Sequence, residues 1–291
     1  MIRPHILVTG ATGNVGAEVV GQLRAKGHPV RIGVRDTQRS EGHSDPGISP
    51  VQLDFMNPAT WQPALESIKK VFLVRPPAIS DVKSHINPFI DVAKDLSVEH
   101  VVLLSLLGAE KITVVPHRGI ELHLKRSGMP YTFLRASFLM QNLSTTHLKE
   151  IRDTSEIAVP AGRGKTSFVD VRAVAAVAVT SLLDEGHEHC AYPLTGSEAL
   201  NYAEVARILT ETLDRPIRYV RPSLLAFARS MRRQGNPSGF ILVTAAIYTT
   251  ARLGMADSVT SDLGRLLGRS PTTMRQFVTD HANLWSVERN A

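Results

Sequence analysis

The feature that most limits what this chain can fold into is Thr9-Gly10-Ala11-Thr12-Gly13-Asn14-Val15-Gly16. It lies between the apolar run Ile6-Leu7-Val8 and a segment of helical periodicity. Three glycines at this spacing meet three needs of a strand-to-helix turn that holds a dinucleotide. Gly10 permits the tight turn, Gly13 lets the backbone approach a pyrophosphate, and Gly16 lets the helix pack close to the strand. The unpaired N–H groups at the helix start then face the phosphates, with the positive end of the helix dipole behind them. A glycine triplet alone also fits a tight, closely packed turn. The context favours the dinucleotide, because a strand precedes it, a helix follows, and a second strand ends about 20 residues on. Gly10, Thr12, Gly13, Asn14, Val15 and Gly16 are the expected contacts.

The same alternation runs through the first two-thirds of the sequence. Residues 5–9, 30–34, 51–53, 71–74, 100–104 and 131–134 are β-rich runs, several of them continuously apolar, as in parallel strands covered on both faces. Helical patterns lie between them at 14–26, 58–67, 81–96 and 117–127. Strand–helix alternation of this kind predicts an α/β fold, a Rossmann-type doubly wound parallel sheet. Beyond residue 150 the pattern loosens. Asp170 is placed to cap a helix over 171–183, a strand at 191–194 follows, and Asn201 caps a helix over 202–213. A strand at 217–220 comes next, and 223–291 reads as almost wholly helical. The expected division is a dinucleotide-binding domain at 1–155 and a smaller, mostly helical, substrate-covering subdomain at 156–291, with some of its elements returning to the main sheet.

Composition excludes several alternatives. The single cysteine, Cys190, rules out an intramolecular disulfide framework and a multi-cysteine metal site, and points to a reducing, cytoplasmic setting. No metal is expected, and the first residues do not read as a signal peptide. The longest apolar stretch, 240–251, is shorter than the ~20 residues a bilayer span requires, so it reads as a buried or substrate-covering helix. The net charge is +6, but the basic residues look dispersed and aromatics make up only 5%, which argues against nucleic acid as the partner.

Cofactor preference is read where the second strand ends, at Val34-Arg35-Asp36. An acidic residue there holds a ribose hydroxyl and selects NAD, whereas an arginine pairs with a 2′-phosphate and selects NADP. Arg35 in the last strand position, with Arg39 one turn further, favours NADP; Asp36 leaves NAD open. Asp54, after the third strand, is expected beside the adenine, or else as the cap of the helix over 58–67.

The motif Thr9–Gly16 with Arg35 resembles the NmrA-like atypical short-chain dehydrogenases. So do His117-x-x-x-Glu121, Ser127-Gly128-x-x-Tyr131-Thr132-x-Leu134-Arg135, Phe138 with Asn142, and Phe168-Val169-Asp170-Val171. Ser105-Leu106-Leu107 and Gly268-Arg269-Ser270-Pro271-Thr272-Thr273 resemble the NAD(P)H:quinone oxidoreductase branch, with the ergot-alkaloid iminium reductases as near relatives. The resemblance implies a cofactor lying across Gly10–Gly16, Arg35, the loop holding Val74, Arg75 and Pro76, and Ser105.

One departure matters more than these matches. Ordinary short-chain dehydrogenases use Tyr-x-x-x-Lys, in which the lysine lowers the tyrosine's pKa so that it passes a proton to a carbonyl oxygen. Here the residues four places after Tyr131, Tyr192, Tyr202, Tyr219 and Tyr248 are Arg135, Gly196, Ala206, Ser223 and Arg252. The lysine that some relatives keep near 117 is also missing. Lacking a positioned acid, an enzyme of this kind forfeits about 10²–10⁴-fold on a ketone. A quinone-like acceptor is already electrophilic and needs position more than acid catalysis. The expectation is hydride transfer from NADPH to such an acceptor, a small apolar or aromatic molecule. His117 is a proton donor or substrate contact, or else a helix-start residue bonding the backbone. Phe138, Met140, Asn142 and Tyr248 line the substrate pocket or, on the competing reading, pack the subdomain core. A non-catalytic NADP-binding redox sensor is the alternative function. The chain is read as a monomer or homodimer.

Overall fold

Strands buried on both faces need hydrogen-bonded neighbours on both sides, and the five inner strands of a seven-stranded parallel sheet have them here. The computed structural model describes residues 5–37, 45–113 and 115–286. The strands are β1 (Ile6–Thr9), β2 (Val30–Val34), β3 (Ile48–Gln52), β4 (Lys70–Leu73), β5 (His100–Leu106), β6 (Tyr131–Ala136) and β10 (Cys190–Leu194). Their order is β10-β6-β5-β4-β1-β2-β3, and every neighbouring pair is parallel. The chain moves outward from β1 to β3, then restarts with β4 on the other side of β1. The β1/β4 boundary is therefore the topological switch point, the place where open α/β sheets take ligands beyond the strands' carboxyl ends. The third strand begins earlier than the expected 51–53. As an edge strand it tolerates Pro50, whose missing N–H would break an interior ladder.

The helices of this unit are α1 (Asn14–Ala25), α2 (Trp61–Leu65), α3 (Val82–His85), α4 (Asn87–Asp95), α5 (Pro116–Ser127) and α6 (Val171–Leu183). Two expected helices are shorter or split. Over 58–67 a 3₁₀ turn, Pro58–Thr60, leads into α2, and Ser67 at φ +63° ends the run. The helix expected over 81–96 is two helices, because Pro88 in the first turn of α4 has no N–H to continue α3. On one side of the sheet, Leu7, Val71, Leu73, Val101 and Phe133 bury against Phe89, Ile90, Ile120 and Leu124 of α4 and α5. α1 and α6 pack on each other, and α6 is apolar nearly all round, with Val174, Ala175, Val177 and Ala178 fully buried.

The chain divides into two units. One comprises Met1–Ala136 with Val171–Leu194, the other Ser137–Asp170 with Thr195–Ala291. By contacts the division falls at 136, 170 and 194, and α6 and β10 belong with the sheet. The second unit holds β7 (Phe138–Leu139), β8 (Glu156–Ala158), β9 (Lys165–Val169), β11 (Ala199–Asn201) and β12 (Arg218–Val220). Its helices are α7 (Tyr202–Leu213), α8 (Leu224–Arg233), α9 (Ser238–Arg252), α10 (Asp262–Leu267), α11 (Met274–Asp280) and α12 (Ala282–Trp285). β11-β9-β7 and β12-β8 form two small sheets. The core of this unit includes Phe168, Tyr202, Tyr248, Phe277 and Trp285, whose indole N–H donates to the Leu143 carbonyl at 3.1 Å. No helix among the described residues is long and apolar enough to cross a membrane.

Candidate functional site

The glycine turn follows β1, and its three glycines are needed for different reasons. Gly10 is left-handed at φ +62°, and a Cβ there would sit 3.0 Å from the Cβ of Val74, at the end of β4. At Gly16 a Cβ would lie 2.1 Å from the Gly10 carbonyl oxygen, so only glycine lets α1 come this close to the turn. Gly13 is different: its φ is −92°, and a Cβ would meet nothing nearer than the Gly10 oxygen at 3.4 Å. The fold thus requires Gly10 and Gly16 but leaves space over Gly13. No side chain caps α1, so the N–H groups of Asn14, Val15 and Gly16 face outward without a capping acceptor. Thr12 and Asn14 are exposed; Val15 is buried in the core and offers this site only its backbone. A cradle that a Cβ would fill, beside unsatisfied N–H donors at the switch point, fits a bound pyrophosphate.

The turn is tied to the end of β4 through Thr9, which is almost fully buried. Its hydroxyl accepts from the Val74 N–H at 2.7 Å and lies 3.2 Å from the Phe72 carbonyl, which it can donate to. Thr9 belongs to the motif but not to the expected contacts, although its place as the last strand residue before Gly10 marks it. Arg35, just beyond β2, is exposed and has no hydrogen-bond or ion-pair partner among the described residues. Arg39 lies outside the described residues. Asp54 does not cap the 58–67 segment; Asn57 does, accepting from the Ala59 N–H. The Asp54 carboxylate turns onto the Met56 N–H at 2.9 Å, and its carbonyl receives the Trp61 indole N–H at 2.9 Å.

The loop after β4 and the start of α5 bring charge together. Arg75 folds onto its own loop, its Nη1 donating to the carbonyls of Pro76, Pro77 and Ile79, and burial holds its pKa below the usual guanidinium range. The pKa of His117 is lowered to about 4, first by burial and then by the nearby positive charge of Arg75, against an opposing pull from Glu121. Its ring is therefore neutral at neutral pH and holds no second proton to release. It does not bond the backbone either, since its Nδ1 is buried without a partner. The neutral ring keeps one N–H with which to contact a bound molecule. Ser105 donates to Glu121 at 2.6 Å, and Arg135 binds the same fully buried carboxylate through two bonds, at 3.0 and 2.7 Å. Arg135 also reaches Glu110 at 3.2 Å. Glu121 is thus an anchored counter-ion and not a free base.

The residues expected around a substrate lie in the second unit. Phe138 is partly exposed, whereas Met140 and Tyr248 belong to its buried core, the competing reading of that stripe. Asn142, partly exposed, accepts the His147 N–H at its carbonyl. A buried pair that sequence reading missed sits here. His147 faces Glu150 through Nδ1 at 3.3 Å, and Nε2 is 2.7 Å from the Tyr248 hydroxyl. The ring thus lies between a carboxylate and the Tyr248 phenol, whose pKa burial raises.

The NmrA-like family model matches residues 3–246. The NAD(P)H azoreductase of Xenophilus azovorans is 33% identical over 95% of this chain and 98% of its own length. Among solved structures, the NADPH-dependent quinone oxidoreductase of Escherichia coli in complex with NADPH aligns with a TM-score of 0.85 at 26% identity, covering 96% of this chain and all of that one. The triphenylmethane reductase of Citrobacter sp. complexed with NADP(H) aligns with a TM-score of 0.83 at 27% identity, covering 94% of this chain and 99% of that one.

Proposed function

The chain belongs to the NmrA-like family, and from that premise we propose that it is an NADPH-dependent oxidoreductase acting on a quinone-like or otherwise activated acceptor. The observation that carries the reading is the cradle at Gly10, Gly13 and Gly16, where the fold leaves open the face that a pyrophosphate needs. The N–H groups of Asn14, Val15 and Gly16 hold the phosphates, and Val74 and Pro76 flank them beyond β4. Arg35, exposed and unpaired among the described residues, takes the 2′-phosphate. When bound, the nicotinamide supplies a hydride.

The acceptor class follows from what the chain lacks. There is no Tyr-x-x-x-Lys, and His117 is neutral at neutral pH. A reaction whose product oxygens take protons from water suits such a site, and an unactivated ketone does not. NADPH oxidation measured with a panel of quinones, azo dyes and simple ketones tests this. Turnover is expected on the first two classes and not on the third. NADPH binding with no turnover on any acceptor would replace the reading with the redox-sensor one, which the same lack of an acid favours. For cofactor choice, Arg35→Glu should weaken NADPH at least tenfold more than NADH, consistent with losing a charge-assisted phosphate contact of about 1.5–3 kcal/mol. Equal weakening would remove Arg35 from the phosphate.

A further inference from the structure

The basic residues look dispersed along the sequence, but in one segment no acidic residue balances them. Residues 215–256 contain seven arginines and no Asp, Glu, Lys or His, so this stretch alone carries more positive charge than the whole chain's net +6. Some of these arginines serve the fold. Arg215 donates to the carbonyls of Ile151, Arg152 and Trp285, and Arg218 pairs with Glu156. Arg229, Arg232 and Arg233 do not. They are exposed on α8, have no hydrogen-bond or ion-pair partner among the described residues, and line an open concavity of about 450 Å³. The other side of the helix is anchored through Phe227 and Met231.

Large aliphatic side chains are exposed on the same pair of helices. Leu225, in the first turn of α8, is 60% exposed, and Leu242 of α9, which packs on α8, is 73% exposed. Val243 and Leu253 are also exposed. Leu225, Arg229 and Arg232 follow at four- and three-residue spacing, so one stripe of α8 presents aliphatic and then cationic groups.

We infer that the α8–α9 surface docks on an anionic phospholipid bilayer, with the arginines on the headgroup phosphates and the leucines in the acyl boundary. Arginine suits phosphate because its planar fork binds two oxygens at once. Helices that lie in a bilayer interface combine such a basic face with exposed aliphatic residues. A nucleic acid offers nothing to Leu225, Leu242 or Val243, which can neither stack on bases nor bond phosphates. A second copy of this face is excluded by charge, since it would set one acid-free arginine cluster against another. α9, at 15 residues, lies on the bilayer and does not span it.

Sedimentation of the full chain with vesicles tests the inference, without cofactor so that it stands apart from the reductase assay. Binding is expected to vesicles containing phosphatidylglycerol and not to pure phosphatidylcholine. The triple variant R229E/R232E/R233E should bind at least ~100-fold more weakly, at about fivefold per arginine near an anionic surface. The variant L225S/L242S, which keeps every arginine, should also lose vesicle binding while its melting temperature is unchanged. No binding to phosphatidylglycerol vesicles overturns the inference. So does vesicle binding that survives L225S/L242S, or an equal affinity for soluble duplex DNA, either of which would mark a general polyanion surface. A dimer in solution that L242S dissociates would assign the face to a second copy and overturn it as well.

Discussion

At the scale of single residues, burial decides what each ionisable group does. Glu121 has no exposure and is satisfied by Ser105 and by a two-bond contact from Arg135. Glu121→Gln takes from the mostly buried guanidinium its two-bond carboxylate and leaves it only Glu110, at 3.2 Å, and removing one partner of a buried pair costs about 3–5 kcal/mol. Chemical denaturation should register a loss of that size, and a loss under ~1 kcal/mol would show the pair to be dispensable. His100, buried at the start of β5, donates from Nε2 to Thr132 at 2.9 Å, since the threonine's own proton goes to the His187 carbonyl. Its Nδ1 is buried without a partner, and burial lowers its pKa to about 4, as it does for His117. In the unfolded chain both rings take a proton near pH 6.5, but in the folded chain they do so only near 4. The unfolded state therefore binds more protons between those values, and stability present above pH 6.5 is lost as the pH falls towards 4. The loss from His100 is on the order of 2–3 kcal/mol, measured as denaturation midpoint against pH. His100→Asn should flatten that slope, and an unchanged slope would assign it to other groups.

Among the elements, caps and breaks were written locally, but not all of them were equally legible. Asn201 and Glu204 form a capping box at the start of α7: the asparagine accepts from the N–H groups of Ala203 and Glu204, and the glutamate from that of Asn201. The cap could be read because its whole geometry lies within four residues. Asn201→Ala should cost ~1 kcal/mol with no change in cofactor affinity, and an effect below ~0.3 kcal/mol would deny the cap its role. Pro88 was equally visible, yet the apolar period runs on through it, and that period hid the break between α3 and α4. Gly119 shows a close approach that periodicity does not register. A Cβ there would come within 2.9 Å of Val82, so α5 meets α3 through a residue with no side chain.

For the whole molecule, ligand binding and chain partition are the relevant quantities. NADPH at a hundred times its Kd should stabilise the native state by about 2.7 kcal/mol, a rise of roughly 5 °C in melting temperature. Gly13→Val should abolish that rise while melting close to the parent in the absence of ligand, because the fold leaves space for a Cβ at Gly13. A retained shift would move the phosphates elsewhere. The sequence by itself determined the α/β class, the parallel strands and the glycine turn. Strand burial, helical period and a glycine's φ are settled within about ten residues of chain, and each leaves a local mark. Tertiary structure alone decided the rest. β10 lies beside β6 and β9 beside β7, pairings between distant segments that no period encodes, and the chain divides at 136, 170 and 194. The same long-range packing buried Met140 and Tyr248, set Arg135 on Glu121 and kept His117 neutral. Burial and local field belong to whatever surrounds a residue in space, and those neighbours come from parts of the chain that a linear reading cannot bring together.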